Sequence, residues 1–271
     1  MYGWLRMQLT SNGMKIGFFD SGVGGLTIMR AVSTLLPRYD YVYYGDTKNV
    51  PFGDKPEAEI YELTKAGMES LFEHDCVLNI IACNTSSAES LRRLQDTYLP
   101  KAYPDRRILG VIIPAVEEVL DAAVGEVLLL ATKRTIDSGK YERELGKRSD
   151  NPPAVRGIAT PELVPLIEAG ELDAAAKAAA AAITAKRTTY PAITAVILGC
   201  THYTLLRPAL QARFPDLHFI SQDEFIPEKL NDYLQRHQEL TSRLTGGGTR
   251  TITLTEHRPD YDHLVPELLA G

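Results

Sequence analysis

The chain has 271 residues, 44% hydrophobic and 24% charged, the balance of a soluble globular protein with enough length for one large or two medium domains. Its net charge of −6, with no basic cluster longer than two residues, argues against nucleic acid or an anionic membrane as the main partner. No apolar run approaches the roughly 18 residues of a membrane span, and residues 1–13 lack an apolar core of signal-peptide length, so a short loose tail and the cytoplasm are the default expectations.

Short apolar runs then alternate with segments of helical period. Residues 15–19 read as a buried strand that opens into Asp20-Ser-Gly-Val-Gly-Gly25, followed by a helix over 26–36 that Pro37 ends. Residues 41–44 are a second strand and 45–53 a polar loop. Residues 57–74 place Ile60, Leu63, Met68 and Leu71 at helical spacing, and 77–82 are a third strand. A helix is expected over 86–98, with Pro100 and Pro104 marking a loop before a strand at 108–112.

A second series follows. Helices are expected at 115–123, 137–145, 161–168 and 172–185, with strands at 127–131, 155–159 and 193–198 between them. Residues 217–220 read as a strand, 225–237 as a helix, 246–248 as a flexible glycine loop, and 250–254 as a last strand before a short helix. Alternation of this kind predicts an α/β protein, its sheets mostly parallel and flanked by helices. The expected division is a tail at 1–13, one domain from 14–110 plus 220–271, and a second from 111–219.

Two stretches look like one piece of chain used twice. Leu78-Asn-Ile-Ile-Ala-Cys83-Asn84-Thr85 and Ala195-Val-Ile-Leu-Gly-Cys200-Thr201-His202 are apolar runs that end in a cysteine and polar residues, 117 positions apart. In open α/β sheets ligands bind beyond the carboxyl ends of strands, where Asp20, Cys83 and Cys200 all stand. A thiol before a helix N-terminus is expected to gain thiolate character from the unpaired N–H groups. A lone cysteine in such a place is more simply a small core residue, and Thr85 or Ser86 alone a helix cap. The matched pair is what favours chemistry. Cys76 has no such context and reads as structural. Three cysteines without a Cys-x-x-Cys exclude a disulfide framework. The scattered histidines predict no metal site. The glycine turn fits neither a dinucleotide fingerprint nor a Walker A loop, although its N–H groups suit a carboxylate.

Four motifs in order carry a resemblance: Phe19-Asp-Ser-Gly-Val-Gly-Gly-Leu26, Tyr44-Gly-Asp-Thr47 with Val50-Pro-Phe-Gly53, Ala82-Cys-Asn-Thr-Ser-Ser-Ala88, and Leu198-Gly-Cys-Thr-His-Tyr203. Over residues 15–233 the chain resembles the glutamate racemases of the cofactor-independent aspartate/glutamate racemase family. The resemblance implies two pseudo-symmetric α/β domains with the active site in the cleft between them. It implies a two-base isomerase in which Cys83 and Cys200 exchange the α-proton of glutamate, tuned by Asp20 and His202. Substrate contacts would fall on Asp20, Ser21, Phe52, Gly53, Asn84, Thr85, Thr132, Thr135, Glu168, Thr201 and His202. No cofactor and no metal are implied. A homodimer, a cytoplasmic location and a role in supplying D-glutamate for peptidoglycan, and so cell shape, are implied as well.

Departures from the family pattern bear on substrate preference. Phe52 stands where a tyrosine is usual, which removes a hydroxyl worth about 1 kcal/mol if it met the substrate. Thr160 stands where a cysteine is common, Ala131 replaces a glycine before Thr132, and residues 220–224 differ from a Val-Asp-Ser segment. A racemase for aspartate or a hydantoin, a Cys200–His202 hydrolase or transferase, and a non-catalytic regulatory protein on the same scaffold stay open as alternatives.

Overall fold

The computed structural model describes residues 13–259 and 261–270; nearly all of the expected tail lies outside them. The apolar runs become strands β1 (Lys15–Asp20), β2 (Tyr41–Gly45), β3 (Cys76–Ile81), β4 (Arg107–Gly110), β5 (Glu126–Ala131), β6 (Ala154–Ala159), β7 (Ile193–Gly199), β8 (His218–Ile220) and β9 (Arg250–Leu254). They form two sheets, ordered β4-β3-β1-β2-β9 and β6-β5-β7-β8. Every pairing between these strands is parallel. Strands buried on both faces need apolar residues at successive positions, which is why they are legible as runs rather than as alternations.

The sheets repeat one plan. In each, the first strand is central, the second pairs on one side and the third on the other, so β1 corresponds to β5 and β3 to β7. The register slips at the same place in both: after Lys15 against β3, and after Glu126 against β7. The sheets share an inner core. Ile16 and Phe18 of β1, Leu78 and Ile80 of β3, Val127 and Leu129 of β5, and Ala195 and Ile197 of β7 all join it. The intervening residues turn outward, as the period of two requires. Leu128, Leu130, Val196 and Leu198 pack with the helix Leu172–Thr189, and Phe19 and Ile81 with the helix Glu57–Glu73. Among the described residues no helix is long and apolar enough to cross a membrane.

Two local expectations are corrected. The helix expected over 86–98 starts at Asn84 and is interrupted: Asn84–Glu89 and Leu91–Arg93 are α-helical, Leu94–Tyr98 is a π-turn, and Leu99–Ala102 is a last turn containing Pro100. Proline has no N–H to give, and a widened turn precedes it. The helix expected over 137–145 is two helices, Lys133–Asp137 and Lys140–Gly146, because Gly139 between them takes φ of +57°. Just after the expected glycine loop at 246–248, the backbone N–H and hydroxyl of Thr249 donate to Asp40 at 2.7 and 2.6 Å.

The second of these helices carries a buried carboxylate ringed by cations. Glu144 accepts from Lys140, Lys147 and Arg148 at 2.9, 3.0 and 2.6 Å. Burial pushes its carboxyl up, but these three cations outweigh it and hold the pKa near about 2, against an ordinary 4.5. A depressed folded pKa adds stability above the unfolded value and loses it as pH falls through the folded one. Glu144→Gln is therefore expected to cost about 1–3 kcal/mol at pH 7, the lower end applying if exposure of the cations screens the pairs. The gap from the parent should close between roughly pH 4.5 and 2, as read by denaturant unfolding. A gap independent of pH would contradict the assignment.

Candidate active site

The carboxyl ends of both sheets open onto one cavity of about 620 Å3. Each wall segment follows a strand: Ser21 follows β1, Phe52 and Gly53 follow β2, Cys83 to Thr85 follow β3, Thr132 follows β5, Thr160 follows β6, and Cys200 to His202 follow β7. In each sheet the chain reverses its direction of strand addition between the first and third strands, and ligands favour that crevice. The repeat seen in the sequence is thus one topological position used twice.

Cys83 caps the helix Asn84–Glu89, and its sulfur lies 3.3 Å from the Ser21 hydroxyl. At Cys83 the expected gain in thiolate character is outweighed. Burial and the charge of Asp20 push the thiol up to about 11, outweighing the Ser21 hydroxyl and the neighbouring Ser86. Asp20 itself is fully buried behind the glycine turn, off the cavity wall. It accepts the Gly25 N–H at 3.1 Å and meets the Thr201 hydroxyl at 3.4–3.5 Å. Its pKa is raised by burial, against the opposing charge of His202 and the turn N–H groups.

Cys200 has different company. Nδ1 of His202 lies 3.9 Å from its sulfur, and Nε2 of the same ring lies 3.2 Å from Glu168 Oε1. The Nε2 contact with Glu168 is a close charge pair, poorly aligned as a hydrogen bond. Burial opposes the imidazolium, but Cys200 and Glu168 hold the His202 pKa well above its usual value. Burial likewise opposes the Glu168 carboxylate, and His202, Tyr261 and Arg258 hold its pKa below the ordinary.

Hydroxyls from both sheets meet on the wall. Thr85 lies 2.9 Å from Thr132 and 3.2 Å from Thr135, and Thr132 and Thr135 are 3.0 Å apart. Thr135 is behind the wall, supporting the two in front. The side-chain amide of Asn84, expected to face the substrate, is largely occupied. Its oxygen accepts from Gln222 at 2.7 Å and Tyr141 at 2.8 Å, and its nitrogen donates to Gln222 at 3.1 Å. Phe52 is buried against Phe19, and Thr160 bonds Tyr203 at 2.8 Å. The remaining expected residues, Ser21, Gly53, Glu168 and Thr201, line the cavity. Cys76 does not; burial pushes its thiol up to about 12.

Residues 30–223 match the family model described as Asp/Glu/Hydantoin racemase. The chain belongs to that family. Among relatives of this racemase-family chain, the glutamate racemase of Ruegeria pomeroyi is 36% identical over 257 residues, 89% of this chain and 94% of that protein. That of Paracoccus denitrificans is 37% identical over 259 residues, 91% of this chain and 93% of the other. A solved glutamate racemase of Bacillus anthracis gives a TM-score of 0.83 at 26% identity, covering 95% of this chain and 94% of that one. One from Francisella tularensis, in complex with D-glutamate, gives 0.81 at 26% identity over 96% and 95%. Gln222 is at the edge of the family match, and Arg258 and Tyr261 lie beyond it. Sequence reading gave none of the three a role, nor Tyr141, and took Ser86 only as a helix cap.

Proposed function

We propose that this chain is a cofactor-independent glutamate racemase in which Cys83 and Cys200 are opposed acid and base thiols. The observation that carries the reading is that equivalent strand ends of two matched sheets each present a cysteine to one cavity. Inverting a stereocentre by proton exchange needs an acid and a base on opposite faces of the α-carbon, and the two thiols supply both transfers. Their different surroundings suit them to different starting roles. Cys83, with its pKa pushed up by burial and Asp20, holds its proton at neutral pH. The imidazolium of His202 beside Cys200 is a charge partner for a thiolate. The Cys200 thiolate takes the α-proton of one enantiomer, and Cys83 delivers its own proton to the opposite face. Charge then rests on Cys83 and the proton on Cys200, the state from which the other enantiomer reacts. The hydroxyls of Thr85 and Thr132 and nearby backbone N–H groups are fixed donors for the charge that develops at the substrate carboxylate.

Glutamate is the substrate that the relatives' names and the D-glutamate complex of the Francisella enzyme favour. The same reading makes the chain a cytoplasmic homodimer that supplies D-glutamate for peptidoglycan, with domains at 14–110 plus 220–271 and at 111–219. The test is α-proton exchange in D2O without added cofactor. L-glutamate should give α-deuterated D-glutamate, and D-glutamate the α-deuterated L-form. Exchange with L-aspartate and with neither glutamate enantiomer would overturn the substrate assignment.

A further inference from the structure

Glu168 is gripped from the far end of the chain. Tyr261, the first residue of the helix Tyr261–Ala270, donates its hydroxyl to Glu168 Oε1 at 3.1 Å. Arg258 donates to the other oxygen at 3.4 Å and to the Tyr261 hydroxyl at 3.1 Å. Tyr261 and Glu168 are both buried. The Tyr261 N–H closes a turn onto the Arg258 carbonyl at 2.9 Å, and Leu264 and Leu268 of the same helix join the inner core. The grip is thus anchored to the fold rather than to a loose end.

This matters because the 3.2 Å contact between His202 and Glu168 is poorly aligned as a hydrogen bond and meets only one carboxylate oxygen. Tyr261 and Arg258 add donors on both oxygens and so set the plane of the carboxylate. Glu168 faces His202, Tyr261 and Arg258; His202 faces Glu168 and Cys200 and feels Asp20. We propose that Tyr261 and Arg258 are positioning residues that hold the Glu168 carboxylate beside His202, and so serve the Cys200 half of the proton exchange. The proposal rests on the two-thiol reading above. It assigns a role to residues beyond the 30–223 stretch that the family model matches.

The test is Tyr261→Phe, which deletes one hydroxyl and keeps the ring in the core. Because racemisation has an equilibrium constant of unity, kcat/KM must fall equally in both directions, by about tenfold for a lost hydrogen bond to a charged group. The discriminating readout is the primary isotope effect with α-deuterated L- and D-glutamate. Slowing transfer at Cys200 makes that step more limiting. The effect should rise for the enantiomer whose proton Cys200 takes and fall for the one whose proton Cys83 takes. Arg258→Ala should move both effects in the same senses. Tyr261→Phe added to Glu168→Gln should change little further, since the two act as one unit.

A fall in kcat/KM with both isotope effects unmoved, or full additivity with Glu168→Gln, would overturn the positioning role. So would kinetics of Tyr261→Phe indistinguishable from the parent. Failure of the parent itself to exchange the α-proton of either glutamate enantiomer would instead remove the two-thiol reading beneath it.

Discussion

Cys83→Ser and Cys200→Ser are each expected to lose racemisation by a factor of roughly 10² to 10⁴, the usual contribution of a positioned acid or base. Serine keeps the shape of the side chain and removes the acidity, so each variant should fold with near-parental stability. The two losses should be similar in kcat/KM, because a reversible exchange across one carbon uses both groups in either direction. Their residual behaviour should differ. With Cys83 replaced, the Cys200 side keeps its His202 partner at 3.9 Å and can still take a proton from its own face. Slow exchange of that α-proton with solvent, without inversion, is the expected remnant. With Cys200 replaced, the remaining thiol has a pKa raised to about 11 by burial and Asp20, and it makes a poorer base at neutral pH. Polarimetry reads inversion and NMR in D2O reads exchange. If Cys83→Ser kept full activity while Cys200→Ser lost it, a single-nucleophile hydrolase or transferase would become the better account.

The parts of this arrangement that are local in the chain were legible before any coordinates. A strand of a buried parallel sheet is an apolar run, and the residues beyond its carboxyl end are the next ones in sequence. Cys83, Cys200, Ser21 and His202 could therefore be assigned to strand ends from the apolar runs that precede them, and the repeated cysteine motif pointed to two matched halves. What was hidden depends on contacts between distant segments. Gln222 meets Asn84 across 138 positions, Tyr141 meets it across 57, and Tyr261 meets Glu168 across 93. No periodicity or motif marks such pairs. The electrostatics were hidden for a related reason. A helix N-terminus next to Cys83 is visible in the sequence and favours a thiolate, whereas the burial that outweighs it is a property of everything packed around the sulfur. Asn84 shows the same limit, since its residue type suits a substrate donor and its actual neighbours largely use it up.

Gly24→Ala is expected to lower kcat by about 100-fold, the scale on which a misplacement near 1 Å acts, and to destabilise the fold by about 1–3 kcal/mol. Gly24 lies in the turn that follows β1, and it is where the first half of the molecule presses on the second. A methyl group there would stand 2.6 Å from the Thr201 hydroxyl, 2.9 Å from the His202 backbone nitrogen and 2.9 Å from His202 Nδ1. Side-chain rotation could clear the first contact; the second is backbone, so one of the two segments must move. Either movement disturbs the same set of distances: Thr201 to Asp20 at 3.4–3.5 Å, and His202 to Cys200 at 3.9 Å and to Glu168 at 3.2 Å. The loss should thus fall on proton transfer rather than on substrate capture, with kcat reduced and KM changed less. Gly125→Ala is the matched control, because a methyl there meets nothing within 4 Å. It should leave the kinetics intact and the stability within about 0.5 kcal/mol of the parent. Parental kcat in Gly24→Ala would mean that the turn yields without moving His202, and that the ring's position is not what the Cys200 side depends on.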